Sequence, residues 1–524
     1  MARLALLRLH TVQPQQHLVD DFAALNRYVA RVQSVLQSGK PDNDILLYWP
    51  LADVWDNADG LAKMLTVHDV KFLTEQPVGK IARTLVEKGY QFDYISDAQL
   101  QLARAPSGGS GIRTPGGEYR AIIVPKTRRM PVETMQRLLS IAAQGGSVFF
   151  LESLPDDVPG HGHLAARRTR LKALLEQWTF KSYLSESGYS SGLPKSDSNR
   201  EILGFNSAFV FSSIDSLLRA LVDRFSRIAQ EASASSGLSI VRRRTEIGYD
   251  YFMSNLSAHA FEGWLPLGRE ASSVTVLDPL SGKRGLASRR NGSSEAGARR
   301  TETYLQIQSG ESVVLSTVLN RDLQGPRWTY RQNVGSPIAL SGKWSLTFTQ
   351  GGPELPPALT TTELKSWTDL GGDEAKRFAG TARYRLEFDA PAAKADDWRL
   401  DLGDVRESAR VRLNGRDIGT LWSIPLRVDF PASLLKPTGN VLELDVTNLA
   451  ANRIRDMDGA NDPKPDASEA EKAAHPPRKA NWKIMREINF VNINYRPFDA
   501  SGWALTPSGL LGPVTLTPLR ASIP

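Results

Sequence analysis

The chain has no cysteine among its 524 residues. This composition excludes disulfide bonds, cysteine-ligated zinc, iron–sulfur clusters and thiol nucleophiles. Long apolar runs are also lacking, since no stretch approaches the roughly 18 residues that a membrane-spanning helix needs. We expect no cofactor and no metal site.

The charge is basic, with a net charge of +7 and a sequence pI of about 9.4. Basic proteins bind nucleic acid, anionic membranes or acidic glycans. Here the clustered arginines lie in separate segments, at Arg167-Arg168, Arg242-Arg243-Arg244, Arg289-Arg290 and Arg299-Arg300. Because no shared basic motif joins them, we predict an ordinary solvated surface, with neither nucleic acid nor a membrane as partner.

The length exceeds the roughly 250 residues at which a single core stops growing, and it suggests about three domains. Apolar residues recur at spacings of three and four over residues 21–37, which predicts an amphipathic helix. Gly39 and Pro41 end it. Nothing before this helix can cover its apolar stripe. We therefore assign residues 1–40 as the last helix of a domain whose body is absent.

Residues 41–232 alternate short apolar strands with helices, as in Ile45–Trp49, Val78–Lys88, Ala121–Val124 and Val132–Ala143. This alternation predicts a doubly wound α/β domain of the flavodoxin or amidotransferase type. Its usual chemistry is missing. There is no dinucleotide-binding or phosphate-binding glycine motif, and there is no cysteine for an amidotransferase. A structural role is the interpretation that remains.

From residue 233 the pattern changes to strands alone. Residues 233–335, with strands over Tyr249–Asn255 and Ser273–Leu277, predict a small β-sandwich, with a polar loop over Ala287–Gly297. Residues 336–524 have the strand count and spacing of a two-sheet jelly roll, with a hairpin turn at Asn414-Gly415. The whole chain is thus expected to be multidomain, α/β plus all-β.

Two features of the α/β domain invite a catalytic or metal-binding interpretation. His161 and His163 are close enough to share a metal ion, but no third ligand is evident, and an exposed loop is the simpler explanation. Glu152 follows the strand Val148–Leu151, at the edge where α/β sheets bind ligands. A glycosidase needs two carboxylates, so Glu152 alone predicts a surface acid.

The terminal jelly roll contains the candidate carbohydrate-binding residues. Aromatic rings stack on the apolar faces of sugars while polar neighbours bind the hydroxyl groups. Trp422 follows a glycine bend and Trp503 lies in a later loop, so each is a stacking candidate. Asn414, Arg406 and Asn448 are the candidate hydrogen-bonding residues. The alternative is that Trp422 packs against the edge of the sandwich.

Several long stretches carry a family resemblance. LGDVRESARVRLNGRDIGTLWSIPLRVDF, followed by NVLELDVTNLAANRIRD, resembles the galactose-binding-like sandwich appended to glycoside hydrolases, as in the sugar-binding domains of family 2. INFVNINYRPFDASGWALTPSGLLGPVTL and FAALNRYVARVQSVLQSGKPDNDILLYWPLADVWD resemble the carboxyl-terminal half of glycoside hydrolase family 106, the α-L-rhamnosidases. The resemblance implies hydrolysis of glycans by a (β/α)8 barrel that precedes these domains.

The same resemblance implies that residues 1–40 carry the last helix of the missing barrel. No catalytic residue can be transferred, because the barrel's acid and base have no positions here. We expect the accessory half of a glycosidase, with a glycan substrate and the missing barrel as partners, and a periplasmic or extracellular location for the full-length enzyme. The alternatives are a free-standing carbohydrate-binding protein and a purely structural fragment.

Overall fold

The computed structural model describes residues 18–56, 70–106, 111–177, 181–183, 208–223, 228–293, 299–459 and 502–524, with residues 60, 66, 225 and 500. Its chain divides into two compact units. Val32–Trp328 form the first, called here the central unit. The described residues up to Arg31 and Thr329–Pro524 form the second, the terminal unit.

The central unit begins with a parallel α/β layer, which the helix α1 (Val19–Leu36) precedes. In chain order its elements are β1 (Lys40–Pro41), β2 (Ile45–Tyr48), α2 (Leu51–Trp55), α3 (Lys71–Thr74), α4 (Pro77–Glu87), β3 (Phe92–Ile95), α5 (Asp97–Leu100), β4 (Ile112–Thr114), β5 (Gly117–Tyr119), β6 (Ala121–Val124), α6 (Val132–Ala143), β7 (Ser147–Leu151), α7 (Leu164–Glu176), β8 (Lys181–Tyr183), β9 (Ala208–Phe211) and α8 (Ile214–Asp223). Six of these strands form one sheet in the order β3-β2-β6-β7-β9-β8. All neighbouring strands in it run parallel.

Both faces of this sheet are covered, which explains why its strands are apolar throughout. Alternate residues of each strand point to opposite faces. On one face Leu46, Ile122 and Val148 pack with α6 and α7. On the other, residues such as Ile45 and Phe149 pack with α4 and α8. The α/β layer predicted from the sequence is confirmed as a parallel sheet between two layers of helices.

An antiparallel sandwich completes the central unit. Its elements are α9 (Ser233–Ser236), β10 (Leu238–Arg244), β11 (Tyr249–Asn255), β12 (Phe261–Pro266), β13 (Ser273–Leu277), β14 (Arg284–Leu286), β15 (Arg289–Ser293), β16 (Arg299–Ile307) and β17 (Ser312–Val318). One sheet has the order β1-β10-β11-β17-β13-β14 and the other the order β12-β16-β15. Alternating residues such as Tyr251, Leu265 and Leu305 form the core between them.

A buried ion network joins this sandwich to the amino-terminal end of the parallel sheet. Arg242 on β10 is 1% exposed, and its Nε donates a 2.6 Å hydrogen bond to Oδ2 of Asp42. Its Nη1 donates to the carboxylate of Glu231, which is 2% exposed. Arg269 binds Asp42 at 3.0 Å and Asp44 at 2.9 Å. Since Asp44 immediately precedes β2, the network lies at the sheet edge opposite to the one where such folds bind ligands.

The terminal unit is a second sandwich. Its elements are β18 (Tyr330–Asn333), β19 (Ile338–Ala339), β20 (Trp344–Gly352), β21 (Leu359–Thr361), α10 (Trp367–Leu370), α11 (Asp373–Arg377), β22 (Ala379–Phe388), β23 (Asp397–Asp401), β24 (Asp404–Arg406), β25 (Ser408–Leu413), β26 (Arg416–Leu421), β27 (Arg427–Pro431), β28 (Asn440–Thr447), α12 (Ala451–Gly459), β29 (Gly509–Gly512) and β30 (Thr515–Ser522). One sheet has the order β21-β20-β22-β28-β25-β26. The other has β18-β30-β23-β27, with β19 also paired to β30.

Large aromatic side chains dominate the core of this sandwich. Trp344, Trp367 and Phe378 are at most 1% exposed, and Phe348 packs edge-on against the last two. Each such side chain contributes roughly 1.5–3 kcal/mol when it is fully buried. The multidomain α/β plus all-β architecture expected from the sequence is therefore confirmed. The boundaries at residues 40, 232 and 335 stay predictions.

One expectation for an individual segment was wrong, and one helix was not predicted. The segment Ala287–Gly297, predicted as a polar loop, contains the strand β15, whose partner β16 lies beside it. The helix α7 was not predicted, because its sequence LAARRTRLKALLE contains four polar positions before its second apolar group and shows no single apolar stripe. Within the described residues, no helix is long and apolar enough to cross a bilayer.

Candidate functional site

The carboxyl-terminal edge of the parallel sheet is the first place to examine for chemistry. Strand order reverses at β2, which lies between β3 and β6, and ligands of open α/β sheets bind at such a reversal. Here Asp53, on α2, occupies the position. Its Oδ2 accepts hydrogen bonds from Thr127 Oγ1 at 2.6 Å and from the Arg128 amide at 2.8 Å. Its Oδ1 accepts one from the Arg129 amide at 2.7 Å, so both carboxylate oxygens are engaged by the protein.

A second carboxylate at this edge, Asp97, is also engaged. Its Oδ1 accepts hydrogen bonds from the Tyr48 hydroxyl at 2.8 Å and from Thr134 Oγ1 at 2.5 Å. Burial, and then the neighbouring Asp97 carboxylate, raise the pKa of the Tyr48 phenol far above its usual value. Tyr48 is therefore a neutral hydrogen-bond donor at any physiological pH. The arrangement ties β2 to α5 and α6 and resembles a structural cluster rather than an acid–base pair.

Glu152 lies where the sequence placed it, directly after β7, but in an unusual backbone conformation. Its φ angle is 66°, in the left-handed region that costs a non-glycine residue about 1–2 kcal/mol. Its amide donates to the Phe211 carbonyl at 2.7 Å, and its Oε2 lies 2.8 Å from Lys126 Nζ. The Glu152 and Lys126 side chains are 50% and 58% exposed, so the ion pair is worth little in stability. Strain of this kind is common at functional sites, and the Glu152 carboxylate is open to solvent.

The histidine pair lies in an exposed loop before α7. His161 and His163 are both exposed, and the loop is held by Arg167, which donates to the carbonyls of Pro159, Gly160 and Gly162. Among the residues that the structure describes, no group of three or more histidine, aspartate or glutamate side chains is arranged to hold a metal ion. This is the geometry of a surface loop.

In the terminal sandwich, Trp422 packs against the first helix. Its ring lies edge-to-face with Tyr28 on α1, with centroids 5.4 Å apart. The indole is partly exposed, but its Nε1 is buried and has no hydrogen-bond partner among the described residues. Two further contacts hold the same helix: Asp21 accepts from Ser408 Oγ at 2.7 Å, and Asp20 pairs with Arg410 at 2.6 Å. A sugar at Trp422 would therefore share the ring with Tyr28.

The two candidate asparagines serve the backbone. Asn414 has a φ of 53° in the hairpin turn, and its Nδ2 donates to the Leu434 carbonyl at 2.8 Å while its Oδ1 accepts from the Val441 amide. Asn448 is 1% exposed, and it binds the Gly380 amide at 2.9 Å and the Phe378 carbonyl at 3.0 Å. Both side chains form their hydrogen bonds with neighbouring strands and turns.

The remaining candidates are Arg406 and Trp503. Arg406 pairs with Asp404 at 2.5 Å, and its Nε is buried with no partner among the described residues. Trp503 is partly exposed, and its carbonyl accepts a 2.6 Å hydrogen bond from Arg455.

Strand register shows which of these candidates are neighbours. Ser408 pairs with Thr447 at one end of β25, and Leu413 pairs with Leu442 at the other. Arg406, Trp422 and Asn448 thus belong to the first end, whereas Asn414 lies about 20 Å away at the second. The residues proposed from the sequence therefore do not converge on one site, and sugar binding by this set stays a prediction.

The sequence interpretation missed two contacts that bear on these sites. Tyr28 was not recognised as the cover of Trp422, because the two residues are almost 400 positions apart and no local pattern links them. Asp53 was not recognised as the occupant of the sheet edge. The available signal was the position of Asp53 in the first turn after an apolar strand. A segment rich in hydrogen-bond donors, Thr127-Arg128-Arg129, follows the strand β6 in a similar way.

Comparison with known proteins adds relationships of two kinds. No protein-family model matches the chain. Over 169 residues, or 30% of its length, the chain is 33% identical to a protein of Formosa agariphila described as a putative beta-glucuronidase, and this region is 14% of that protein. The chain thus spans a small part of that relative.

Among solved structures, 96% of the chain superposes on a rhamnosidase from Novosphingobium sp. PP1Y, with a TM-score of 0.62 and 21% sequence identity. The match covers 41% of that enzyme. A beta-glucuronidase of Faecalibacterium prausnitzii matches 37% of the chain and 33% of its own length, at 20% identity and a TM-score of 0.23. The first of these matches shows a shared fold over nearly the entire chain.

Proposed function

We propose that this chain is the accessory half of a glycoside hydrolase resembling the α-L-rhamnosidases of family 106. In this proposal the enzyme hydrolyses O-glycosyl bonds of plant or bacterial glycans, and a catalytic barrel outside these residues supplies the acid and base. The observation that carries the proposal is the shared fold with a rhamnosidase whose chain is more than twice as long as the matched part.

The sequence supports the same assignment independently. The segments Phe22–Asp56 and Ile488–Leu516 resemble the carboxyl-terminal half of family 106. The curated relative is also named as a glycosidase, although of a different specificity. Relatives that differ in the sugar they act on suggest that these domains are shared scaffolding, and that the barrel determines the substrate.

The geometry of the described carboxylates favours a non-catalytic role. Hydrolysis of a glycosidic bond needs two carboxyl groups that flank the bond, about 5–9.5 Å apart. At the sheet edge, Asp53 and Asp97 both accept hydrogen bonds from the protein, and Glu152 is paired with Lys126. Each of these three carboxylates is thus engaged by a neighbouring group of the protein.

An activity assay tests this proposal. The purified chain, incubated with 4-nitrophenyl α-L-rhamnoside, should release nitrophenol no faster than buffer. A longer protein that includes the coding sequence adjoining residue 21 on its amino-terminal side should hydrolyse the same substrate. Glu152→Gln in that longer protein should leave its kcat unchanged, since the carboxylate is assigned no part in the chemistry.

Two results would contradict the proposal. The first is turnover by the present chain that disappears in Glu152→Gln. The second is an adjoining sequence that encodes no barrel and confers no hydrolysis of any aryl glycoside.

A further inference from the structure

The outer face of the three-stranded sheet in the central unit carries an aromatic pair. Trp264 on β12 lies directly opposite Tyr304 on β16, and their rings meet edge-to-face with centroids 5.6 Å apart. Alternate residues of β16, such as Thr303 and Leu305, are buried in the sandwich core. Trp264 and Tyr304 point the other way and are both partly exposed. The sheet thus presents a large aromatic surface on its outer face.

Polar side chains surround this pair in an ordered arrangement. Glu262 accepts hydrogen bonds at its Oε1 from the Tyr304 hydroxyl and from Gln306 Nε2, both at 2.9 Å. On the other side, Arg290 lies over the Trp264 ring, 4.5 Å from its centroid, and donates to Glu302 at 2.6 Å. Each charged group is thus held by a neighbour before any ligand arrives.

A glycine makes room for part of this arrangement. Gly292 lies next to Arg290 along the same face, and a Cβ at this position would come 2.5 Å from the Glu302 carboxylate. Any larger residue would push Glu302 away from Arg290. The local sequence therefore favours the carboxylate–guanidinium pair beside the indole.

We infer that this face, formed by Trp264, Tyr304, Glu262, Gln306, Arg290 and Glu302, is a binding surface for a neutral pyranose-containing glycan. Aromatic rings stack on the apolar face of a pyranose. Carboxylate, amide and guanidinium groups offer paired acceptors and donors that match vicinal hydroxyl groups. The inference stands on this geometry alone and does not depend on the glycosidase assignment.

Charge selects a neutral ligand over an acidic one. Of the charged groups in this surface, Glu262 and Glu302 are acidic and Arg290 is basic, so the surface carries no excess of positive charge that would attract a polyanion. Arg290 covers the indole by a contact worth about 0.5–1 kcal/mol at an exposed site, and 54% of its side chain is exposed. A sugar can displace it at low cost, and the displaced guanidinium stays beside the ring as a hydrogen-bond donor.

Saturation-transfer NMR on the full chain tests the inference. The probes are methyl α-L-rhamnoside, methyl β-D-galactoside and cellobiose as neutral sugars, and methyl β-D-glucuronide as the acidic one, each titrated from about 0.1 to 50 mM. At least one neutral sugar should bind with a millimolar dissociation constant. Trp264→Ala should weaken that binding about tenfold or more, whereas Trp264→Phe, which keeps an aromatic ring, should remain within about threefold.

Matched controls separate this surface from other parts of the chain. Trp55 is 56% exposed and lies outside the surface, so Trp55→Ala should leave the affinity unchanged. Trp422→Ala should also leave it unchanged, which distinguishes the sheet from the terminal sandwich. Thermal melts must show that Trp264→Ala is folded; Tyr304→Phe provides a second, milder variant that removes only the hydroxyl bound to Glu262.

Three outcomes would overturn the inference. They are the absence of neutral-sugar binding up to 50 mM, binding that Trp264→Ala does not weaken, and tighter binding of the glucuronide than of every neutral sugar. None of these readouts involves hydrolysis, so the failure of this inference and the failure of the proposed function are distinguishable.

Discussion

Removal of Arg242 should destabilise the central unit strongly. The guanidinium is 1% exposed and contacts three carboxylates, those of Asp42, Glu231 and Asp44. In Arg242→Met, Asp42 and Asp44 keep Arg269 as a partner. Glu231 keeps the Gly268 amide, at 3.0 Å, as a hydrogen-bond donor to its carboxylate. The variant therefore leaves one buried carboxylate without its counter-charge.

Removing one partner of a buried ion pair costs about 3–5 kcal/mol, because the other charge stays buried and unpaired. For domains of 150–250 residues, 1 kcal/mol corresponds to about 2–4 °C in Tm. Arg242→Met should thus lower the Tm of the central unit by about 6–20 °C at pH 7. Differential scanning calorimetry of the full chain gives this value directly.

A control and a double variant sharpen the test. Arg244 lies on the same strand and is exposed, so Arg244→Met should change the Tm by less than about 2 °C. Glu231→Gln combined with Arg242→Met removes both charges, so the pair should be less destabilised than the sum of the single variants, by about 1–3 kcal/mol. Equal shifts for the Arg242 and Arg244 variants, or strictly additive losses in the double variant, would refute the reasoning.

The pH dependence of this destabilisation follows from the pKa of Asp42. Burial acts to raise the pKa of this carboxyl group, but the Arg242 and Arg269 guanidinium groups outweigh it and hold the pKa below its usual value. A carboxylate with a lowered folded-state pKa contributes stability above its unfolded pKa, near 3.9, and loses it as the pH falls through the folded value. The Tm difference between wild type and Arg242→Met should therefore narrow below about pH 4. A constant difference from pH 7 to pH 3 would contradict this account.

Two further predictions concern the candidate sites. Tyr28→Ala and Trp422→Ala should each lower the Tm of the terminal unit, because their rings are in contact. A double-mutant cycle should give a coupling of about 0.5–1.5 kcal/mol between them. A coupling of zero, together with loss of rhamnose or galactose oligosaccharide binding in Trp422→Ala, would favour a sugar-stacking role instead. Glu152→Gly should keep or raise the Tm, since glycine relieves the left-handed backbone, whereas Glu152→Val should lower stability by about 1–2 kcal/mol; equal denaturation midpoints for the two variants in urea would argue against strain at this residue.

The sequence located the elements that have a strong local pattern. Strands Ser273–Leu277 and Tyr249–Asn255 and the helix Val132–Ala143 agree with the structure residue for residue. Each has a clear period, of two or of 3.6 residues, and clear end signals. The element β15 had neither, because Arg289–Ser293 is polar, and it becomes a strand only through its pairing with β16. Strand propensity depends on such neighbours more than helix propensity does.

Candidate site residues were harder to predict than elements. Trp422, Asn414, Arg406, Asn448 and Trp503 were chosen for residue type and for proximity to turns. Asn414 and Asn448 show why this is insufficient: the same amide groups that bind sugars also complete turns and strand ends, and here they do so. The hydrogen-bond partner of such an amide depends on the strand that packs beside it, and the local sequence does not identify that strand.

Composition alone excluded thiol chemistry. Hydrophobic periodicity alone predicted the parallel α/β layer and the two antiparallel sandwiches, because these depend on residue types at spacings of a few positions. Contacts between distant residues were decided only by the tertiary structure. Arg242 meets Asp42 across 200 positions, and Ser408 meets Asp21 across 387. Trp264 and Tyr304 become one surface only when β12 and β16 pair in register. Such contacts form when the sheets pair and pack, because the free energy gained by burying the shared core exceeds the conformational preference of any single segment.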